Sequence, residues 1–177
     1  LSGSLNFPRR VVTAYYNTAV APVHHEFKKA VIQSLNSRNI NTEVMLLKCD
    51  GGTIPLNKSE EIPVKTVNSG PAASIMGTRA LSTKEGTGLA LDIGGTTTDI
   101  SLFIEGEPAF KPKGIELQEL PTLIRGLYSY SVPAGGDSKI SVKEGQLQIG
   151  PQREGPAAAC GGPAPTPTDA LLVLGKI

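Results

Sequence analysis

Apolar residues recur at helical spacing through the first part of the chain. Arg10–Val20 sets Val12, Tyr15, Tyr16 and Ala19 on one face, and Ala21–Asn36 repeats the pattern with Val23, Phe27, Ala30, Val31 and Leu35. Asn36–Ser37 and Asn39 mark its end, so the pattern predicts two consecutive helices. Thr42–Lys48 is apolar and β-prone and stops at Asp50–Gly51–Gly52, a turn rather than a site. Pro55–Val64 reads as an irregular polar connection. Ser69 is placed to cap a helix over Pro71–Leu81, whose Ala73, Gly77 and Ala80 make one side small enough for another backbone to approach.

Beyond this point the period shortens to two. Thr87–Asp92 and Asp99–Ile104 read as strands flanking Gly94–Gly95. Glu105–Gly106 turns the chain into a short strand near Ala109–Phe110, and Lys111–Leu127 is ambiguous, an extended crossing followed by a loop. Tyr128–Pro133 alternates and ends at Gly135–Gly136, and Lys139–Val142 with Gln146–Ile149 forms a hairpin around Glu144–Gly145. Gly150–Pro167 is rich in Pro, Gly and Ala, a loop either docked or mobile. Thr168 caps a last helix, Asp169–Leu174, which stops at Gly175.

The chemistry concentrates in Asp92–Ile100, DIGGTTTDI. A phosphate needs several backbone N–H donors converging on one point, and glycine leaves that approach unobstructed. Gly94 and Gly95 meet the requirement, and the Thr96, Thr97 and Thr98 hydroxyls add donors or reach Mg²⁺ through water. Asp92, at the strand end, is placed to hold the metal, and Asp99 to do the same or orient a water. The alternative is a hairpin with a Gly–Gly turn and β-favouring threonines. The segment is neither a P-loop nor a dinucleotide fingerprint. Val132–Lys139, VPAGGDSK, allows a flat group such as a purine to lie against Gly135 and Gly136, or is a plain strand-to-hairpin turn. The helix start at Asn68–Ala73 presents free N–H groups at Ser69 and Gly70 that suit an anion, although close packing through its small face is the stronger reading.

Composition narrows the function classes. Among 177 residues, 39% are hydrophobic, 19% are charged and none is Trp, so the core rests on aliphatic side chains. A net charge of +1 gives no case for nucleic acid or membrane binding. No apolar run is long enough to span a bilayer. His24 and His25 are neighbours that point apart on a helix, a partly exposed pair rather than a metal site. Cys49 and Cys160 fit no metal spacing and read as free thiols in a reducing cytoplasm, with a single bridge between them the weaker alternative. The chain starts without Met and is expected to be a piece of a longer protein.

Several segments, in order, resemble the hydantoinase A/5-oxoprolinase family. They are VKTVNSGPAASIMGTRAL (Val64–Leu81), LALDIGGTTTDIS (Leu89–Ser101), VPAGGDSKI (Val132–Ile140) and the tail of Ile149–Ile177, above all PTPTDALLVLGKI. RRVVTAYYNTAVAP and KCDGG are similar to earlier parts of the same domain. The resemblance implies an α/β, RNase H-like fold of the actin, sugar kinase and heat-shock chaperone superfamily, with a mixed sheet and flanking helices. It implies one hydantoinase/oxoprolinase-type domain over 1–177, with a helical lead-in and strand at 1–60, a core at 61–150, and a loop and terminal helix at 151–177. Asp92, Gly94, Gly95 and Thr96 would form the second phosphate motif, and Gly135 and Gly136 would lie near the adenosine. The implied cofactors are ATP and Mg²⁺. The implied activity is ATP-dependent opening of a cyclic amide, or carboxylation of a ketone. The alternatives are a small-molecule kinase of the same superfamily and a non-enzymatic nucleotide-binding assembly module. The first phosphate motif of the superfamily has no counterpart here, so an N-terminal half is expected to complete the cleft. A partner subunit or homo-oligomer is left open.

Overall fold

The computed structural model describes residues 6–82 and 85–177. Helices α1 (Phe7–Ser37), α2 (Ser69–Leu81) and α3 (Pro167–Val173) are joined by ten short strands. In chain order these are β1 (Met45–Leu47), β2 (Thr53–Pro55), β3 (Gly88–Ile93), β4 (Thr98–Ile104), β5 (Glu107–Pro108), β6 (Glu116–Leu117), β7 (Leu120–Pro121), β8 (Ser129–Val132), β9 (Ile140–Lys143) and β10 (Gln146–Ile149). No described helix is long and apolar enough to cross a membrane. The chain divides into two compact units, Leu1–Thr87 with Phe103–Tyr128, and Gly88–Leu102 with Ser129–Ile177.

In the first unit, the two helices expected from the pattern are one. The α1 helix runs through Pro22, which removes an N–H donor and disfavours a helix interior. Burial on either side of the proline holds the helix together. Thr13 and Tyr16 pack inward before it and His24 after it. His24 is therefore buried rather than part-exposed, with Nε2 2.7 Å from Ser59 Oγ. Burial holds its pKa below the ordinary histidine value, against the raising field of Glu60. His25 stays exposed and pairs with Glu60 at 2.7 Å. The core joins Tyr16, Cys49, Val64, Ile115, Leu117 and Ile124. The connection expected to be irregular carries two 3-10 turns, Ser59–Glu61 and Pro63–Thr66, and Val64 is fully buried.

The β1–β2 hairpin closes over the Asp50–Gly51–Gly52 turn, where Asp50 Oδ1 accepts the Gly52 amide at 3.0 Å. Burial pulls the Asp50 pKa up, but the Gly52 amide and the Lys48 ammonium outweigh it and hold the carboxyl below its ordinary value. Asn68, not Ser69, precedes α2, with φ +59° and no side-chain cap. Ala72 and Ile75 form the buried face of α2, whereas the small positions Ala73, Gly77 and Ala80 are exposed, so the close-approach face is not used for packing within the described residues. Segment 111–127, aperiodic in sequence, contains the β6–β7 hairpin. Its turn residues Gln118 and Glu119 take φ +48° and +66° without glycine. The buried bond from Tyr16 Oη to Leu117 O, 2.9 Å, ties that hairpin to α1.

Cys49 and Cys160 are both free thiols. Burial and then Asp50 push the Cys49 thiol up to about 11, and its Sγ donates to Arg125 O at 3.3 Å. Cys160 is exposed. Because the thiolate is the reactive form, a chromogenic thiol reagent is expected to titrate Cys160 in the native protein and Cys49 only after denaturant is added. Rapid reaction of both in buffer would contradict the burial of Cys49.

In the second unit, β4 pairs antiparallel with β8, Thr98 opposite Val132 and Ser101 opposite Ser129. The β3 strand neighbours β4 in the same sheet. The β9–β10 hairpin turns at Glu144 and Gly145, both at positive φ, as the sequence predicts. Leu89, Leu91 and Ile93, alternate residues of β3, remain exposed.

Candidate functional site

The Gly–Gly turn of β3 and β4 and the Gly–Gly loop after β8 lie against each other in the second unit. Gly94 N–H donates to Thr97 O at 2.9 Å and closes the turn. The Gly94 carbonyl accepts the Gly136 amide at 2.8 Å, and the Gly95 carbonyl accepts the Asp137 amide at 2.7 Å. Thr98 Oγ1 adds a bond to Ala134 O at 2.6 Å. The second loop is braced in turn. Buried Ser138 accepts the Gly135 amide at 2.8 Å, and Thr168 donates from both its amide and its hydroxyl to Gly136 O.

This pairing sets the direction of the turn's amides. In a trans peptide the C=O and the next N–H point opposite ways. With the Gly94 and Gly95 carbonyls drawn toward the second loop, the Gly95 and Thr96 N–H groups face away from it. Among the described residues the amides of Gly95, Thr96 and Thr97 donate to nothing, and the Thr96 and Thr97 hydroxyls have no partner. Gly94, Gly95 and Thr96 are exposed. Three adjacent backbone donors and two hydroxyls on one turn have the chemistry of an anion cradle. Asp92, at the end of β3, is exposed, and Asp99, on β4 opposite Ser131, is half-buried. No group of three or more His, Cys, Asp or Glu side chains is clustered among the described residues, so any metal here would complete its shell with phosphate oxygens and water.

The structure gives Gly135 and Gly136 a reason that the sequence did not reveal. A Cβ at Gly135 would stand 2.5 Å from Gly94 O, and one at Gly136 would stand 2.8 Å from Thr168 Oγ1. Both glycines permit one loop to contact another part of the backbone. Ser69 and Gly70, the other expected anion site, open α2 in the first unit, where a Cβ at Gly70 would meet nothing.

Sequence reasoning missed three partners of the site. Asp137 Oδ2 would meet a Cβ at Gly95 at 2.8 Å and is paired with Arg153 at 2.7 Å. Thr168 fastens the Gly136 loop instead of capping α3, whose N-cap is Thr166, two residues earlier than expected. Asp169 completes the capping box and also accepts the Ala158 and Ala159 amides at 3.0 and 2.7 Å. Thr166 and Asp169 have capping-box spacing, so that feature was present in the sequence.

The Ala159 amide foremost, then the Thr166 hydroxyl and further amides, lowers the Asp169 pKa to about 2 against a smaller opposing effect of desolvation. A carboxyl depressed in the folded state contributes stability that is present above its unfolded pKa, 3.8, and lost as pH falls through about 2. The protection factors of the Ala158 and Ala159 amides, each taken against the intrinsic exchange rate at the same pH, are therefore expected to fall across that window. Asp169→Asn is expected to remove most of the pH dependence of those protection factors. Identical profiles for the two proteins would refute the role of Asp169.

A family model described as hydantoinase/oxoprolinase matches residues 10–177. The chain is 29% identical over 188 residues to the 5-oxoprolinase of Saccharomyces cerevisiae, an alignment covering 100% of the chain and 14% of that enzyme. It is 29% identical over 160 residues to the acetophenone carboxylase gamma subunit of Aromatoleum aromaticum, covering 84% of the chain and 21% of the subunit. Its fold superposes on nucleotide-free acetone carboxylase, studied for ATP-dependent acetone carboxylation, with a TM-score of 0.67 at 24% identity over 85% of the chain and 22% of the other. That likeness shows an α/β fold of the actin and sugar-kinase type. The chain thus spans under a third of the length of these relatives. With the match running from residue 10 to the last residue, the chain belongs to the hydantoinase/oxoprolinase family.

Proposed function

We propose that this chain supplies the second phosphate loop and the adenosine side of an ATP cleft, in an enzyme that uses ATP to open a cyclic amide. The carrying observation is the orientation of the 94–97 turn. Its carbonyls are bound to the Gly136 and Asp137 amides, while the Gly95, Thr96 and Thr97 amides stay unpartnered. ATP, when bound, supplies the phosphoryl group that makes an amide carbon electrophilic.

The residues of this chain position and stabilise charge. The Gly95, Thr96 and Thr97 amides and the two threonine hydroxyls hold phosphate oxygens. Asp92 would hold Mg²⁺ from the adjacent strand end, and Asp99 would do the same or orient a water. Arg153 neutralises Asp137, which would otherwise place an unpaired carboxylate beside an anion site. The Gly135–Gly136 loop, fixed by Ser138 and Thr168, forms the wall on which adenosine rests. The 5-oxoprolinase relative supports a cyclic amide as substrate, and the ATP-dependent acetone carboxylation of the structural neighbour supports use of ATP. An N-terminal half carrying the first phosphate loop would complete the cleft.

Calorimetric titration with Mg-ADP tests this reading. Wild type and Gly77→Ala, where an added methyl meets nothing, are expected to bind alike. Asp92→Ala is expected to weaken binding about tenfold to a hundredfold, the scale of one hydrogen bond to a charged group. Gly95→Val is expected to abolish binding while far-UV circular dichroism stays native. Equal binding by all four proteins would overturn the assignment. Absence of binding by wild type would show that this chain does not carry the site alone.

A further inference from the structure

The start of α1 carries an electrostatic conflict. A helix N-terminus is equivalent to roughly half a positive charge and favours acidic neighbours. The first turn of α1 contains no acid and instead carries Arg9 and Arg10. Arg9 is not a loose surface cation. Its Nη1 donates to Thr122 O at 2.9 Å and also to Lys113 O, which draws the 111–114 loop against the helix start.

That loop adds charge of the same sign. Asn6, Arg9, Lys111, Pro112, Lys113, Gly114, Leu123 and Arg125 line a cavity of about 520 Å³. Four cations share its wall, and no carboxylate does, in a chain whose net charge is only +1. Among the described residues none of the four makes an ion pair. Two are held by rings instead, Arg125 over Phe110 at 4.0 Å and Lys111 near Tyr128 at 5.9 Å. Arg125 also shares a longer-range field with Asp50. Like charges around a concavity repel one another and focus a positive potential into it.

We propose that this cavity binds a small polyanion of the phosphate class, through residues none of which belongs to the 94–97 turn. One carboxylate would offset one of the four cations. A group with two or more charges and several acceptor oxygens matches the set, and arginine forks with lysine point charges are the usual partners of phosphate. The volume suits a polyphosphate or a phosphorylated metabolite rather than a macromolecule. An anion seated there would also offset the conflict between Arg9, Arg10 and the α1 dipole.

The test is calorimetry with sodium tripolyphosphate, with ATP in the absence of Mg²⁺, and with citrate, on wild type, on a Lys111→Gln/Lys113→Gln double variant, and on Gly95→Val. Arg9 is left intact because it holds Thr122. Tripolyphosphate is expected to bind wild type and Gly95→Val alike and to lose at least tenfold in affinity in the double variant. ATP binding to Gly95→Val with the affinity of tripolyphosphate would identify the polyphosphate alone as the ligand, and tighter ATP binding to Gly95→Val that the double variant loses would identify a nucleotide; both support the site. Equal tripolyphosphate affinity in wild type and the double variant would overturn the proposal, as would binding that Gly95→Val removes. Citrate binding as tightly as tripolyphosphate would overturn the phosphate class. If Mg-ADP fails to bind at the 94–97 turn, this outcome is unaffected, because the two sites answer to different variants.

Discussion

Gly135→Ala is expected to lower stability by about 3 kcal/mol, the upper part of the usual range for overpacking. The added methyl would stand 2.5 Å from Gly94 O and 2.7 Å from both Gly95 C and Gly95 O. These are backbone atoms of a turn closed by its own hydrogen bond, so they cannot rotate out of the way as a side chain would. Relief requires the two loops to separate, which breaks the Gly136 N–H to Gly94 O and Asp137 N–H to Gly95 O bonds. The Gly95 and Thr96 amides then lose their common direction, so Mg-ADP binding is expected to disappear with the stability. Gly136→Ala is expected to be milder, because the atom it meets is the rotatable Thr168 Oγ1. Urea denaturation of both variants gives the comparison. A Gly135→Ala midpoint equal to wild type would show that the loops do not touch.

The second large effect belongs to Thr13, which is fully buried. Its Oγ1 donates to Arg9 O at 2.6 Å and accepts the Leu123 amide at 3.0 Å. Thr13→Val keeps the shape and removes both bonds, leaving the Leu123 N–H without its partner. A loss of about 2 kcal/mol is expected, the usual scale for a stranded buried donor. Thr13→Ser retains the oxygen and is expected to recover at least half of that loss. If Val and Ser variants unfolded at the same denaturant concentration, the hydroxyl would have no such part.

These two positions illustrate what could be read from the chain before folding. The strands around Gly94–Gly95 and the hairpin at Glu144–Gly145 were legible, because period-two patterning and glycine at positive φ are local properties. The β6–β7 hairpin was not, since Gln118 and Glu119 occupy left-handed φ without glycine and a bond from Tyr16, about a hundred residues earlier, secures them. Pro22 reads locally as a break, yet burial of Thr13, Tyr16 and His24 on its two sides keeps α1 whole. At the candidate site, the paired glycines stood out but not their purpose, because Gly135 answers to Gly94, a residue distant in sequence. Asp137, Arg153 and Thr168 were invisible for the same reason. The charge conflict at Arg9 and Arg10 was printed in the sequence, but its significance depends on Lys111, Lys113 and Arg125 arriving beside it.

The second unit is assembled from two stretches of chain, with Phe103–Tyr128 belonging to the first unit. Ser101 and Ser129 are directly opposed partners in the β4–β8 ladder, so the ends left by excising that insertion lie within the reach of a tight turn. A miniaturised protein is thereby specified. Residues 88–102 joined to 129–177 through an Asn-Gly linker would retain both glycine loops, Thr168 and the Asp169 fastener on a shorter, continuous polypeptide. Such a minimal scaffold would let the 94–97 turn be engineered, evolved or grafted onto other proteins without the rest of the chain.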